Sequence, residues 1–200
     1  MIFRSIMAAA LVVGFASQAS ANLVSNGGFE AGDSSWTIVG GGGFPPYTGI
    51  DTFAPHTGDY GAFIGTADSS SFSQSIPTMA GTAYTISFWL QVEADGFRVA
   101  TPNSFSVSLG GTTFASLSNL DISIYQQYSY TVVATQNNGL LSFVGSDSPA
   151  FLDFDDISVT AAVPELSTWA MMIVGFLGVG IVSRASRRSK ARRQRLTPFL

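Results

Sequence analysis

The sequence contains no cysteine among its 200 residues. Disulfide bonds, thiolate catalysis and cysteine-ligated zinc are therefore excluded. Histidine occurs once, at His56, in a stretch rich in proline and glycine that reads as a surface loop. No Gly-x-Ser-x-Gly nucleophile elbow accompanies it, so a serine hydrolase triad is not signalled. Charged residues make up only 11 % of the chain, and basic ones are scarcest in its middle. Residues 22–163 hold twelve acidic groups against one basic group, Arg98, a net charge of −11. A domain of that sign repels nucleic acid and attracts cations, calcium among them.

What the middle of the chain does hold is aromatic, β-branched and small. Tyr84, Ile86, Phe88, Leu90 and Val92 alternate with Thr85, Ser87, Trp89 and Gln91, the period of a half-buried strand. Phe105, Val107 and Leu109 alternate with serines, and Gly110-Gly111 supplies a hairpin turn into Thr112–Phe114. Further strands are expected at 36–39, 60–64, 71–76, 128–133, 140–144 and 151–159, with Asn137-Asn138-Gly139 as a turn. Eight or nine short antiparallel strands predict an all-β sandwich or jelly roll over residues 22–162. Trp36 and Trp89 are assigned to its core. In the last strand, Asp153 and Asp155 share one face. A bulge near Asp156 would let Phe154 and Ile157 both point inward.

The two ends read differently. Arg4, the apolar run Ile6–Phe15 and Ala19-Ser20-Ala21 form a secretory signal peptide over 1–21, cut to leave Asn22 as the first residue. The expected partners are the Sec translocon and signal peptidase. Near the C-terminus, eighteen uncharged residues separate Glu165 from Arg184. As a helix they reach roughly 27 Å, enough to cross the hydrocarbon core. A single transmembrane helix is expected at about 167–183, with the basic tail 184–200 held in the cytoplasm and the acidic domain outside. No ionisable residue lies within the span, which argues against transport.

Val163, Pro164, Glu165, Leu166, Ser167, Thr168, Trp169 and Ala170, then a Gly-rich apolar helix and an Arg-rich end, resemble the PEP-CTERM sorting signal over 163–200. The chain departs from that pattern at Leu166, where a second proline is usual. The resemblance implies recognition by an exosortase, a membrane-embedded peptidase, at a motif carried by Val163, Pro164, Glu165, Ser167, Thr168, Trp169 and Ala170. It implies an exported precursor anchored in the inner membrane, then a cell-surface or extracellular product.

A second resemblance spans the domain. Asn22–Glu30, Trp36, His56–Tyr60 and Phe154–Val159 are similar to galactose-binding-like jelly rolls and carbohydrate-binding modules. It implies first and last strands lying together at one edge, and a structural calcium ion held by Glu30, by one of Asp155 or Asp156, and by a carbonyl or the carboxylate of the Gly58-Asp59 turn. The same acids would equally serve as a solvated edge that blocks strand pairing. Phe44, Tyr47, Phe53 and Tyr60 are candidates for a sugar-stacking platform, or fill the core. Glu93 with Asp95, and the group Asp153, Asp155 and Asp156, are the acid pairs a glycan hydrolase would draw on. The expected function is a non-catalytic, surface-sorted protein that binds extracellular polysaccharide or builds matrix. The alternative is a secreted glycan-acting hydrolase.

Overall fold

The computed structural model describes residues 21–40, 47–94 and 102–162, with the single positions Met172 and Phe176. Residues 1–20, Phe44, Asp95, Arg98 and the sorting motif 163–170 lie outside the described residues. The chain divides into two units, Met1–Ala161 and Ala162–Leu200. Of the second, only Ala162, Met172 and Phe176 are described, the last two helical and exposed. Among the described residues no helix is long and apolar enough to cross a membrane; the expected span falls outside them except at those two positions.

The first unit is all-β. Its strands are β1 (Thr37–Val39), β2 (Thr48–Asp51), β3 (Gly61–Ile64), β4 (Ser70–Ser75), β5 (Ala83–Val92), β6 (Asn103–Leu109), β7 (Thr112–Ser118), β8 (Ser123–Val133), β9 (Leu140–Asp147) and β10 (Leu152–Ala161). They form two five-stranded antiparallel sheets, ordered β1-β4-β9-β6-β7 and β2-β3-β10-β5-β8. This is a β-sandwich of the jelly-roll kind. The period-two pattern of β5 survives as strict alternation of buried and half-buried positions. Phe88 of β5, Phe154 of β10, Phe105 of β6 and Phe143 of β9 meet between the sheets, each at most 1 % exposed. Each such ring stabilises the fold by about 1.5–3 kcal/mol relative to exposure. Trp36 joins this core against Phe29, and its indole nitrogen donates to the Asn26 carbonyl.

Local signals explain the turns. Gly110 and Gly111 both have positive φ, as a tight two-residue hairpin requires. Register shifts between Asp155 and Ser158, with Asp156 at φ +49°. That bulge turns both Phe154 and Ile157 inward, as the apolar pattern of the strand demands.

Three expectations change. β2 is an additional strand: it is four residues long, contains Gly49, and has no alternating pattern to announce it. The first and last strands do not share an edge. β10 is the centre of its sheet and β1 is the edge of the other. What lies beside β10 is the opening segment, with the Leu23 amide donating to the Val159 carbonyl and the Ile157 amide to the Gly27 carbonyl. Finally, Trp89 is not in the core; it stands on the outward side of β5, half-buried.

Candidate functional site

The alternation that buries Phe88 and Leu90 turns Trp89 and Gln91 outward. The β10 ladder sets Asp155 opposite Trp89 and Asp153 opposite Gln91, while β8 sets Gln127 opposite Trp89. One sheet face therefore gathers an indole, two amides and two carboxyl groups. The segment between β2 and β3 folds over it. His56 stacks on Trp89 with ring centroids 4.0 Å apart, and Tyr125 of β8 meets His56 edge-on at 5.0 Å. The Tyr125 hydroxyl donates to the Ala54 carbonyl, fastening the loop. His56 lies in a loop, as its proline- and glycine-rich surroundings led one to expect, and is packed against this face.

Carboxyl groups hold the same loop from beneath. Asp155, fully buried, accepts through Oδ2 from the amides of His56 (2.9 Å) and Thr57 (3.2 Å), and through Oδ1 from the Asp156 amide. Asp156 bonds the Thr57 hydroxyl at 2.7 Å and lies 2.6 Å from His56 Nδ1. Glu30 accepts from the amides of Asp59 and Tyr60. The structure therefore brings Glu30, Asp155 and Asp156 to one loop, with Asp59 entering through its backbone. Among the described residues no set of three acidic, His or Cys side chains has metal-holding geometry. Two carboxylate oxygens nevertheless converge beside Gly28. A Cβ built on Gly28 would lie 3.6 Å from Asp156 Oδ1 and 3.8 Å from Asp155 Oδ1. Asp155 and Asp156 thus bring carboxylate oxygens together beside Gly28, the ligand type a hard cation takes.

The upper region of the face is unusual electrostatically. Gln91 Nε2 donates to Asp153 Oδ2 at 3.2 Å and to Glu93 Oε1 at 3.4 Å. Burial, with the Glu93 charge beside it, pushes Asp153 up to about 8. Burial and Asp51 raise Glu93 as well, and Gln91 partly counters both. Burial and the nearby carboxylates raise the Tyr125 phenol far above its ordinary range. The shift favours the protonated, hydrogen-bond-donating form of the Asp153 carboxyl.

Of the four aromatics proposed from sequence, the three described ones do not gather at one place. Phe53 is 92 % exposed and, with the partly exposed Tyr60, belongs to the segment that carries His56. Tyr47 sits at the other end of β2, lining a cavity of about 520 Å³ with Thr66, Asp68 and Pro149. Phe44 lies outside the described residues. Trp89, Tyr125 and Gln91 were the residues to find, and the signal was present: in the 84–92 alternation, Trp89 falls on the polar side.

No protein-family model matches the chain, and no curated protein matches it by sequence. Solved structures do match its shape. TmCBM61, solved with beta-1,4-galactotriose, is 19 % identical, with a TM-score of 0.52, and the match covers 72 % of this chain and all of that one. It shares the fold of carbohydrate-binding modules. A family 16 carbohydrate-binding module is 18 % identical over 70 % of this chain and 99 % of its own, at a TM-score of 0.51. The K3 cleaved adhesin domain of Lys-gingipain from Porphyromonas gingivalis is 14 % identical over 72 % of this chain and all of its own, at 0.54.

Proposed function

We propose that this chain is an exported, non-catalytic protein that binds polysaccharide on the Trp89 face of its sandwich. The observation that supports this most directly is the Trp89–His56–Tyr125 cluster flanked by Gln91, Gln127, Glu93 and Asp153. Aromatic surfaces suit the apolar face of a sugar ring, and paired donors and acceptors suit its hydroxyls. The fold shared with binding modules supports the same reading. Calcium, held by Glu30, Asp155 and Asp156, is the proposed structural cofactor. It would tie the His56 loop to the first and last segments of the domain.

The sorting signal at 163–200 completes the proposal. Sec export and signal peptidase deliver the domain across the membrane, the C-terminal helix retains it, and an exosortase acts at Pro164-Glu165. The final location is the cell surface or matrix, where weak binding gains from many copies.

Affinity electrophoresis and a glycan array with the full chain test the binding site. Trp89→Ala is expected to weaken retention roughly tenfold. Undiminished binding by a folded Trp89→Ala, Tyr125→Ala double variant would move the site elsewhere. The Glu93–Asp153 pair also gives the hydrolase alternative a specific observation, since a raised acid beside a second carboxylate is what glycoside cleavage uses. Glycan turnover lost in Glu93→Gln would establish that alternative.

A further inference from the structure

The edges of the two sheets are β1 and β7 in one, β2 and β8 in the other. An edge strand leaves a row of backbone amides and carbonyls without a strand partner, and such a row is a template for another strand. Three of the four are blunted. β1 has three residues and β2 four, too few to hold a partner ladder. β7 is irregular where it passes Val107 and Ser108 of β6. β8 is different. It runs eleven residues, Ser123–Val133, and its strand neighbour among the described residues is β5 alone. Its one irregularity lies near its start, opposite Leu90 and Val92, so Gln126–Val133 holds eight consecutive ladder positions. No proline and no charged residue interrupts it.

Charge indicates the occupant. Between residues 103 and 146 the only charged side chain is Asp121. The acids gather instead around β10 and the loop that carries His56. Two copies of a domain with a net charge of −11 repel each other over most of their surfaces, and least at this uncharged flank. A basic partner would be drawn to the acids, away from β8. The strand also matches itself. Its outward side presents Gln127, Ser129, Thr131 and Val133, opposite Trp89, Ser87, Thr85 and Ala83 of β5. On the inward side the half-buried rings of Tyr128 and Tyr130 lie at 10° and 18° to Phe88, and Phe114 of β7 meets Tyr130 at 5.5 Å. Antiparallel pairing of β8 with its own copy about Ser129 sets Tyr128 opposite Tyr130 and Gln127 opposite Thr131, ring against ring and polar against polar. We propose that β8 is a dimerisation edge, pairing with β8 of a second copy and joining two five-stranded sheets into one. The two-fold axis of such a pair runs normal to the sheet, so both outward faces look the same way. Resting on the proposed role of the Trp89 face, two sugar sites then lie side by side, and one polysaccharide can span them.

The absence of cysteine makes the test direct. In the full chain in detergent, Ser129→Cys is expected to be captured as a dimer by a short bis-maleimide, because the two thiols meet at the two-fold axis. Val39→Cys on β1, 60 % exposed at the far edge of the other sheet, is the control and is expected to stay monomeric. Ser129→Lys sets like charges opposite each other and is expected to convert dimer to monomer in sedimentation equilibrium, with its Tm unchanged. Trp89→Ala is expected to leave the dimer intact, so loss of sugar binding and loss of pairing are read separately. The proposal is overturned if Ser129→Cys crosslinks no better than Val39→Cys. It is equally overturned if a dimer persists in Ser129→Lys, as association through residues 167–183 would give. Should Ser129→Lys fail to fold, amide hydrogen exchange of the wild-type chain decides. Exchange over residues 126–133 that slows as the chain concentration rises supports the edge, and exchange independent of concentration removes it.

Discussion

His56 lies nearly parallel to Trp89, with 17° between the ring planes, while its Nδ1 sits 2.6 Å from Asp156. One imidazole thus joins the aromatic face to the last strand. The shape of the proposed sugar site depends on two contacts with different chemistry, and substitution separates them. His56→Phe keeps the stacking and loses the Asp156 contact; His56→Ala loses both. His56→Phe is expected to retain more glycan retention in affinity electrophoresis than His56→Ala. Equal loss would show that the carboxylate contact, not the stack, positions the loop.

Chelation should lower the Tm of the wild-type chain. A ligand bound only by the native state adds RT ln(1 + [L]/Kd), about 2.7 kcal/mol at a hundredfold excess over Kd. Removing calcium from the Glu30–Asp155–Asp156 cradle would cost stability of that order. In a Glu30→Gln chain the calcium-dependent component of the melt should shrink. An identical response in both chains would assign the calcium effect to other residues.

Gly27 admits no side chain. A Cβ there would overlap the Ile157 carbonyl oxygen, and the clash is with backbone that cannot swing aside. The Ile157 amide also donates to the Gly27 carbonyl at 2.9 Å. Gly27→Ala is therefore expected to destabilise by at least about 2 kcal/mol. The check is a lower urea midpoint at unchanged slope. A shift within about 0.5 kcal/mol would mean that the opening segment is not anchored along β10.

Stability should fall as pH rises from about 4 to about 8. Asp153 holds its proton in the native state up to about pH 8, whereas in the unfolded chain it releases it near 3.9. Across that window the native state binds more protons, so raising the pH favours unfolding. Asp147 and Asp155, raised to about 7 and about 6, act in the same direction. The charges bearing on Asp153 are Glu93, Asp51 and Asp147, with Gln91 opposing them. With chelator present, Asp153→Asn should flatten the upper end of the profile. Wild-type stability that climbs from pH 5 to 8 would contradict this assignment.

Processing is read at both termini by mass spectrometry of the protein from a cell with an exosortase. The expected product begins at Asn22 and lacks the segment after about Pro164. A surface-located product retaining residues 166–200 would refute the sorting role. Cleavage that continues after Pro164→Ala with Glu165→Ala would assign recognition to something other than the motif.

The sandwich was legible where side-chain period and turn chemistry agree. β5 announces itself through nine alternating residues, and Gly110-Gly111 fixes the β6–β7 hairpin. The bulge at Asp156 was legible because Phe154 and Ile157 cannot both face inward without it. β2 was hidden because Thr48–Asp51 has no apolar alternation and no tight turn joins it to β3, its partner across residues 52–60. The site was half legible. Glu30, Asp155 and Asp156 do converge on the His56 loop, since short motifs at both ends of the domain carry them. Trp89 was misplaced because a large aromatic ring is by default a core residue. Only the loop closing over β5 gives it a different role. Asp153 and Glu93 meet through the β5–β10 register, which no local pattern in either strand specifies.

The central position of β10 governs how the domain answers to pulling. Near Ala161 the strand is flanked on one side by β5 and on the other by residues 22–27, and further in by β3. Tension applied at its C-terminal end acts along the strand. It loads the ladders on both sides in shear, so their hydrogen bonds must break together rather than in succession, as they would in an edge strand that peels. A domain held by that end would resist flow and drag with its ladders acting as a unit.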